Sequence, residues 1–151
     1  MEKLPYICSM NKIRADIAKL KEIPSKIDTD KTFHLIKQGE SSKKYFGFLK
    51  SLTQEDDKEI SEWLDISVKT FRSYKNTQKT TKPHLTEHVI MLISLVKHGL
   101  DVFGDYNAFK QWLEKGNFYF DKLPPINFIS SISGMKFIDD RLTAMEFGDN
   151  A

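Results

Sequence analysis

Apolar residues in this chain recur at intervals of three and four, the period of an amphipathic helix, and strand-like alternation is scarce. Ile13, Ile17 and Leu20 form the first set, with Lys12, Arg14, Lys19 and Lys21 on the other side. Phe33, Leu35 and Ile36 lie within Thr32 to Gln38, before a stop at Gly39. Tyr45, Phe46, Phe48 and Leu49 lie within Ser42 to Ser51. Ile60, Leu64, Ile66, Phe71 and Tyr74 define two helices joined by a turn at Asp65. From Thr86 to His98 apolar residues occupy almost every side of the helix. Phe109, Trp112 and Leu113 share one face of the next helix, and Phe137, Ile138, Arg141, Leu142 and Met145 keep helical spacing in the last. The pattern predicts an all-α chain of roughly eight short helices.

Capping and stop residues refine the boundaries. Thr53, with Asp56 three residues on, is expected to cap a helix whose first turn holds Glu55, Asp56 and Asp57, where the helix dipole favours negative charge. Asp65 is expected in the left-handed turn conformation, and Ser67 as the cap of the following helix. Leu85 and Ile90 fit a hydrophobic staple around a Thr86 cap. Asp105 is placed to cap a helix running to about Lys115, which Gly116 can end. Pro125 suits the first turn of a helix that Gly134 would stop, and Met135 to Phe147 makes the last, with Gly148 beyond its end. The polar stretch 77–82, closed by Pro83, separates residues 31–82 from 83–151, and residues 1–30 read as an N-terminal arm.

Composition adds a core and an asymmetry. The chain has 151 residues, 40% hydrophobic and 12% aromatic, enough for one domain or two small ones sharing a core. Its net charge is only +2, so distribution matters more than the total. Ser67 to Lys82 holds five bases (Lys69, Arg72, Lys75, Lys79 and Lys82) and no acid, whereas Asp101 to Ala151 holds eight acids and five bases. The first stretch suits an anionic partner. A helix apolar all round, such as 86–98, is either the central helix or a subunit interface, and Val89, Ile93 and Leu95 are assigned to a dimer interface. Cys8 is the only cysteine, which excludes an internal disulfide. No apolar run approaches the ~20 residues of a membrane span, and a cytoplasmic location is expected.

Little in the chain points to catalysis. His84 and His88 have metal-ligand spacing but no third ligand nearby, so no metal is expected. His98, at the end of its predicted helix, suits a cation stabilised by the helix C-terminus. Asp139 and Asp140 diverge on a helix and form no acid/base pair, and there is no Gly-rich phosphate loop. No catalytic residue and no cofactor is assigned.

The apolar register at 60, 64, 66, 71 and 74 is that of a helix-turn-helix. In that register Ser67, Lys69, Arg72, Ser73 and Asn76 face the major groove, with Thr70, Lys75 and Lys79 near phosphates. The stretch Ile60 to Lys75 resembles the Xre-like helix-turn-helix of the Xre/MbcA/ParS antitoxin family, with Ser61 where a small residue lets the helices approach and Asp65 where the motif usually has glycine. Val102-Phe103-Gly104-Asp105, Ala108, Trp112-Leu113, Pro125, Gly134, Leu142, Glu146 and Gly148 resemble, in order and spacing, the toxin-binding domain of the same family. The family often has a Leu-Gly-Gly type turn before the proline; this chain has Phe120-Asp121-Lys122-Leu123.

The resemblance implies an Xre-like DNA-binding domain over 31–82 and a toxin-binding and dimerisation domain over 83–151. It implies the antitoxin of a type II toxin–antitoxin pair, which covers the active site of a RES-type, NAD-consuming toxin and represses its own operon. Such a protein is not an enzyme and binds no NAD alone. The toxin would be met by Lys136, Asp139, Asp140, Thr143, Glu146, Phe147, Gly148, Asp149, Asn150 and Ala151, and a homodimer would suit a palindromic operator. The alternative is a stand-alone dimeric transcriptional regulator without a toxin; an enzyme is the third class.

Overall fold

The apolar run around Val89 becomes the axis of the fold in a computed structural model that describes residues 18–39, 42–77 and 81–151. Among these residues the chain is all-α, without strands. Residues 18–22 are helical and are followed by α1 (Thr29–Lys37), α2 (Ser42–Thr53), α3 (Asp57–Trp63), α4 (Val68–Asn76), α5 (Pro83–Phe103), α6 (Tyr106–Glu114), the 3-10 turns Phe118–Phe120 and Pro125–Phe128, and α7 (Ile132–Glu146). The segment around Ile13 and Ile17, Cys8 and Lys79 lie outside the described residues.

Helix α5 packs against α1, α2, α6 and α7, while α4 packs on α2 and α3. Every residue from His88 to Val96 is buried. That run supplies Val89, Ile90, Met91, Leu92, Ile93, Leu95 and Val96 to one continuous core, which also takes Phe46, Ile60 and Phe71 from the first half and Phe109, Ile138 and Leu142 from the second. Val89, Ile93 and Leu95, expected in a dimer interface, are at most 1% exposed in the single chain. Neighbouring helices already cover them, so this helix needs no second subunit to hide its apolar surface.

Local rules account for most helix ends. Asp28, Asp56, Ser67, Asp105 and Ser131 each cap a helix by accepting from a backbone N–H three residues on. Asp65 holds φ +52° in the turn between α3 and α4, and Gly148 holds φ +90° after α7.

Several boundaries differ from expectation. Thr53 is the last residue of α2 and donates its hydroxyl to the Leu49 carbonyl, so the cap of α3 is Asp56 and Glu55 stays in the loop. Thr86 sits inside the first turn of α5, which opens at Pro83; proline has no N–H to satisfy there. The same helix runs on to Phe103, which leaves His98 a full turn short of its end.

Glycines explain two more differences. Helix α6 ends where expected, with Lys115 as its C-cap, but Gly116 after it does not take the positive φ of a helix-ending glycine; a Cβ on Gly116 would come within 2.6 Å of the Lys122 carbonyl oxygen, so glycine there permits a close backbone approach. Gly134 does not end a helix. It lies in the first turn of α7, where a Cβ would fall 1.9 Å from the Phe128 carbonyl oxygen. The obstacle is backbone, which cannot swing aside as a side chain can. Gly134→Ala is therefore expected to displace the 3-10 turn before α7 and lower stability by at least ~1–3 kcal/mol, the usual cost of overpacking; urea unfolding of the variant beside Ser133→Ala checks it.

Candidate functional site

Two surfaces can be built from the residues upward. The first is helix α4. Ser67 accepts from the Thr70 N–H at 3.0 Å and shares a 2.8 Å hydroxyl contact with Thr70. Phe71 is fully buried, with its ring edge-on to Phe46 at 5.4 Å, and Tyr74 stacks on the same Phe46 at 5.8 Å. Those anchors set the rotation of α4 and leave Ser67, Lys69, Arg72, Ser73 and Asn76 exposed, with Thr70 and Lys75 partly buried.

The electrostatics of this face differ from the expectation of an unopposed basic helix. Asp57, in the first turn of α3, receives three cations. Lys75 Nζ lies 2.9 and 3.1 Å from its two oxygens, Arg72 Nε 3.1 Å from Oδ2, and Lys50 Nζ 3.1 Å from Oδ1. The Lys75 hydrogen bonds, with those from Arg72 and Lys50, hold the Asp57 carboxyl well below the usual carboxylate range despite some burial. No acid occurs between Ser67 and Lys82 in sequence, but one is folded against them in space. Lys75, expected near a phosphate, therefore has a carboxylate partner within the chain.

A second network joins α3 to α6. Lys110 Nζ reaches Glu55 Oε1 at 2.5 Å and Glu59 Oε1 at 2.9 Å, and lies over the Trp63 ring at 6.0 Å. Tyr106 donates its hydroxyl to Glu55 Oε1 at 2.9 Å. Burial, with the Glu55 contact, pushes the Tyr106 phenol far up, so it remains a donor. Glu55, expected in the first turn of a helix where the dipole favours it, thus joins Glu59 in linking residues of 31–82 to residues of 83–151.

The second surface is α7 and the tail. Side chains four and seven apart share a helical face, which divides the expected partner residues into two groups. Lys136, Asp140 and Phe147 fall on one stripe and are exposed. Asp139 turns inward and is 6% exposed. Its Oδ1 lies 2.6 Å from His98 Nδ1, and its Oδ2 accepts the Ile27 N–H at 3.2 Å. His98 is itself fully buried. Asp139 is thus a core acceptor rather than a partner contact, and His98 is a core histidine held by that carboxylate.

Glu146 also turns toward His98, with Oε1 3.3 Å from Nε2, while its Oε2 pairs with Lys26 Nζ at 2.5 Å. The Lys26 hydrogen bond, helped by His98, draws its carboxyl below the ordinary value. Thr143 is partly buried and donates to the Asp139 carbonyl at 3.1 Å. Gly148, Asp149, Asn150 and Ala151 remain at the surface. Arg141 ties the tail back: Nη1 reaches Asp149 Oδ2 and Nη2 the Asn150 carbonyl, both at 3.0 Å, while the guanidinium lies 3.4 Å over the Tyr119 ring.

Phe147 is 85% exposed and Phe118 81% exposed. The sequence reading passed over Phe118, although the run Phe118-Tyr119-Phe120 was a visible signal, because three adjacent aromatics cannot all face one core. Phe120 is buried and Phe118 is left outside. In the following turn Asp121 and Lys122 both hold positive φ, +54° and +67°, a backbone that glycine adopts without strain.

Among the described residues no group of three potential ligands is placed to hold a metal ion, and no helix is long and apolar enough to cross a membrane. His84 is exposed, whereas His88 is buried, and burial pushes its imidazole below its ordinary value. No protein-family model matches the chain, and no curated protein matches it.

Proposed function

We propose that the chain is a cytoplasmic antitoxin of a type II toxin–antitoxin pair, which binds a RES-type, NAD-consuming toxin through its C-terminal helix and tail and represses its own operon through α4. In this reading it catalyses nothing and needs no cofactor. The observation that carries the DNA half is the mounting of α4: a Ser67-capped helix, anchored by Phe71, with Lys69, Arg72, Ser73 and Asn76 turned to solvent. Arginine and asparagine on such a face match the acceptor and donor patterns of guanine and adenine in the major groove. The toxin half is supported by the exposed Phe147 at the end of α7 and by the stripe it shares with Lys136 and Asp140. The left-handed backbone at Asp121 and Lys122, where the antitoxin family often carries glycines, also favours the resemblance. A homodimer remains part of the proposal because a two-fold operator calls for one, but its contact surface lies away from Val89, Ile93 and Leu95.

The test of the DNA half is a gel-shift titration on duplex DNA from immediately upstream of the reading frame. Arg72→Ala is expected to weaken binding by roughly 1–3 kcal/mol, and Lys69→Ala to weaken it as well. If both bind as the parent does, α4 is not the recognition helix. Co-purification with the product of the adjacent reading frame tests the toxin half, and its absence favours a stand-alone regulator.

A further inference from the structure

We infer that Asp57 is a positioning residue for base reading, holding Arg72 so that the Nη1/Nη2 edge of its guanidinium meets a guanine; the inference rests on the DNA-binding role proposed for α4. The two side chains differ in exposure in the way such a pair requires. The Asp57 side chain is 15% exposed and fixed in the first turn of α3, while that of Arg72 is 61% exposed. The contact between them uses Arg72 Nε, at 3.1 Å from Oδ2. Among the described residues no partner takes Nη1 or Nη2. A guanidinium offers two flat donor edges, one with Nε and one with both Nη atoms, and only the second stays open here. That edge can donate to guanine O6 and N7 together. An arginine free at the end of its stem would spread over many rotamers, so anchoring Nε removes much of that freedom before DNA arrives.

The same carboxylate has a second effect on discrimination. Lys50, Arg72 and Lys75 converge on it, and it offsets one of their three charges. Contacts to phosphates give affinity for any sequence, whereas the arginine fork distinguishes one base pair. Selectivity is the ratio of the two, so a carboxylate that weakens the general attraction while aiming the fork raises selectivity from both sides.

The experiment uses the whole chain, a duplex library with a randomised core for selection, and poly(dA-dT), which has no guanine-type O6/N7 pair, as the non-specific probe. The parent is expected to enrich a motif containing one G·C pair that depends on Arg72. D57N is expected to keep the rest of the motif, lower the preference at that pair about tenfold, and bind poly(dA-dT) more tightly with a salt slope steeper by about one. Arg72→Lys, which keeps the charge without the fork, is expected to lose the same pair with no gain on poly(dA-dT). Should D57N melt below the assay temperature, D57E decides. It keeps the charge at the start of α3 but moves the carboxylate by one methylene, so the guanine preference should fall while poly(dA-dT) binding stays parental. An unchanged motif in D57N, or in D57E where that variant decides, overturns the inference and leaves the DNA-binding role standing, as does survival of the guanine in Arg72→Lys. If the parent enriches no sequence, the role and the inference fall together.

Discussion

Asp139→Ala is expected to lower the stability of the chain by about 2–5 kcal/mol, because it removes a buried acceptor and leaves its donors behind. Asp139 is 6% exposed, and its two oxygens serve His98 Nδ1 on α5 and the Ile27 N–H in the segment before α1. The shortened side chain would also release Ile27, and with it the neighbouring Lys26, whose ammonium pairs with Glu146. The loss should therefore appear as a lower urea midpoint together with faster hydrogen exchange before α1. Asp140→Ala is the control, since Asp140 is exposed on the neighbouring face and should stay within about 0.5 kcal/mol of the parent. If both variants unfold at the parental urea concentration, the buried acceptor contributes nothing and the inward orientation of Asp139 is wrong. Its removal is a stability change first, so any loss of toxin binding in this variant must be read against the fraction folded.

Deleting Phe147 to Ala151 is expected to do the reverse: leave the fold and abolish protection. Phe147 is 85% exposed, and the residues after it are at the surface. What the fold loses is the cap of α7 and the two contacts from Arg141 to Asp149 and Asn150. Arg141 keeps its place over Tyr119, and Glu146 keeps Lys26, so the cost should stay near 1 kcal/mol. In the proposed complex, a toxin site that takes an anionic dinucleotide contains donors and positive charge, and the exposed Asp149 offers them a charge-assisted partner. Presenting that tail requires Asp149 to exchange Arg141 for a cation of the toxin, and the separation of such an exposed pair costs little. Co-expression with the toxin that the proposal places in the adjacent reading frame should then show NAD loss and growth arrest with the truncated chain but not with the parent. Full protection by a folded truncated chain would refute the C-terminal contact and move the search to Phe118 and its neighbours.

Much of this architecture was legible before any coordinates. The all-helical class followed from apolar spacing, because a helix must bury one stripe and the stripe recurs every three to four residues. The caps at Ser67 and Asp105 were legible because the residue and the N–H that it satisfies are three positions apart. The same holds for the left-handed Asp65, whereas the all-round apolar helix around Ile93 fitted a central place and a subunit interface equally. Gly134 was misread because a glycine has the same appearance whether it ends a helix or clears a path for the Phe128 carbonyl, and only the second is true here.

By itself, then, the sequence determined the helical class and the caps at Ser67 and Asp105, since these depend on neighbours within one turn. The tertiary structure decided what each polar residue is for. It turned Asp139 inward and Asp140 outward, although they are adjacent, because His98 waits on one side and solvent on the other. It set Asp57 against Lys50, Arg72 and Lys75, and so placed an acid on a face whose own stretch has none. It covered Val89, Ile93 and Leu95 within one chain. Each of these outcomes joins residues distant in sequence, where the energy of a pair depends on separation and burial that no local pattern records.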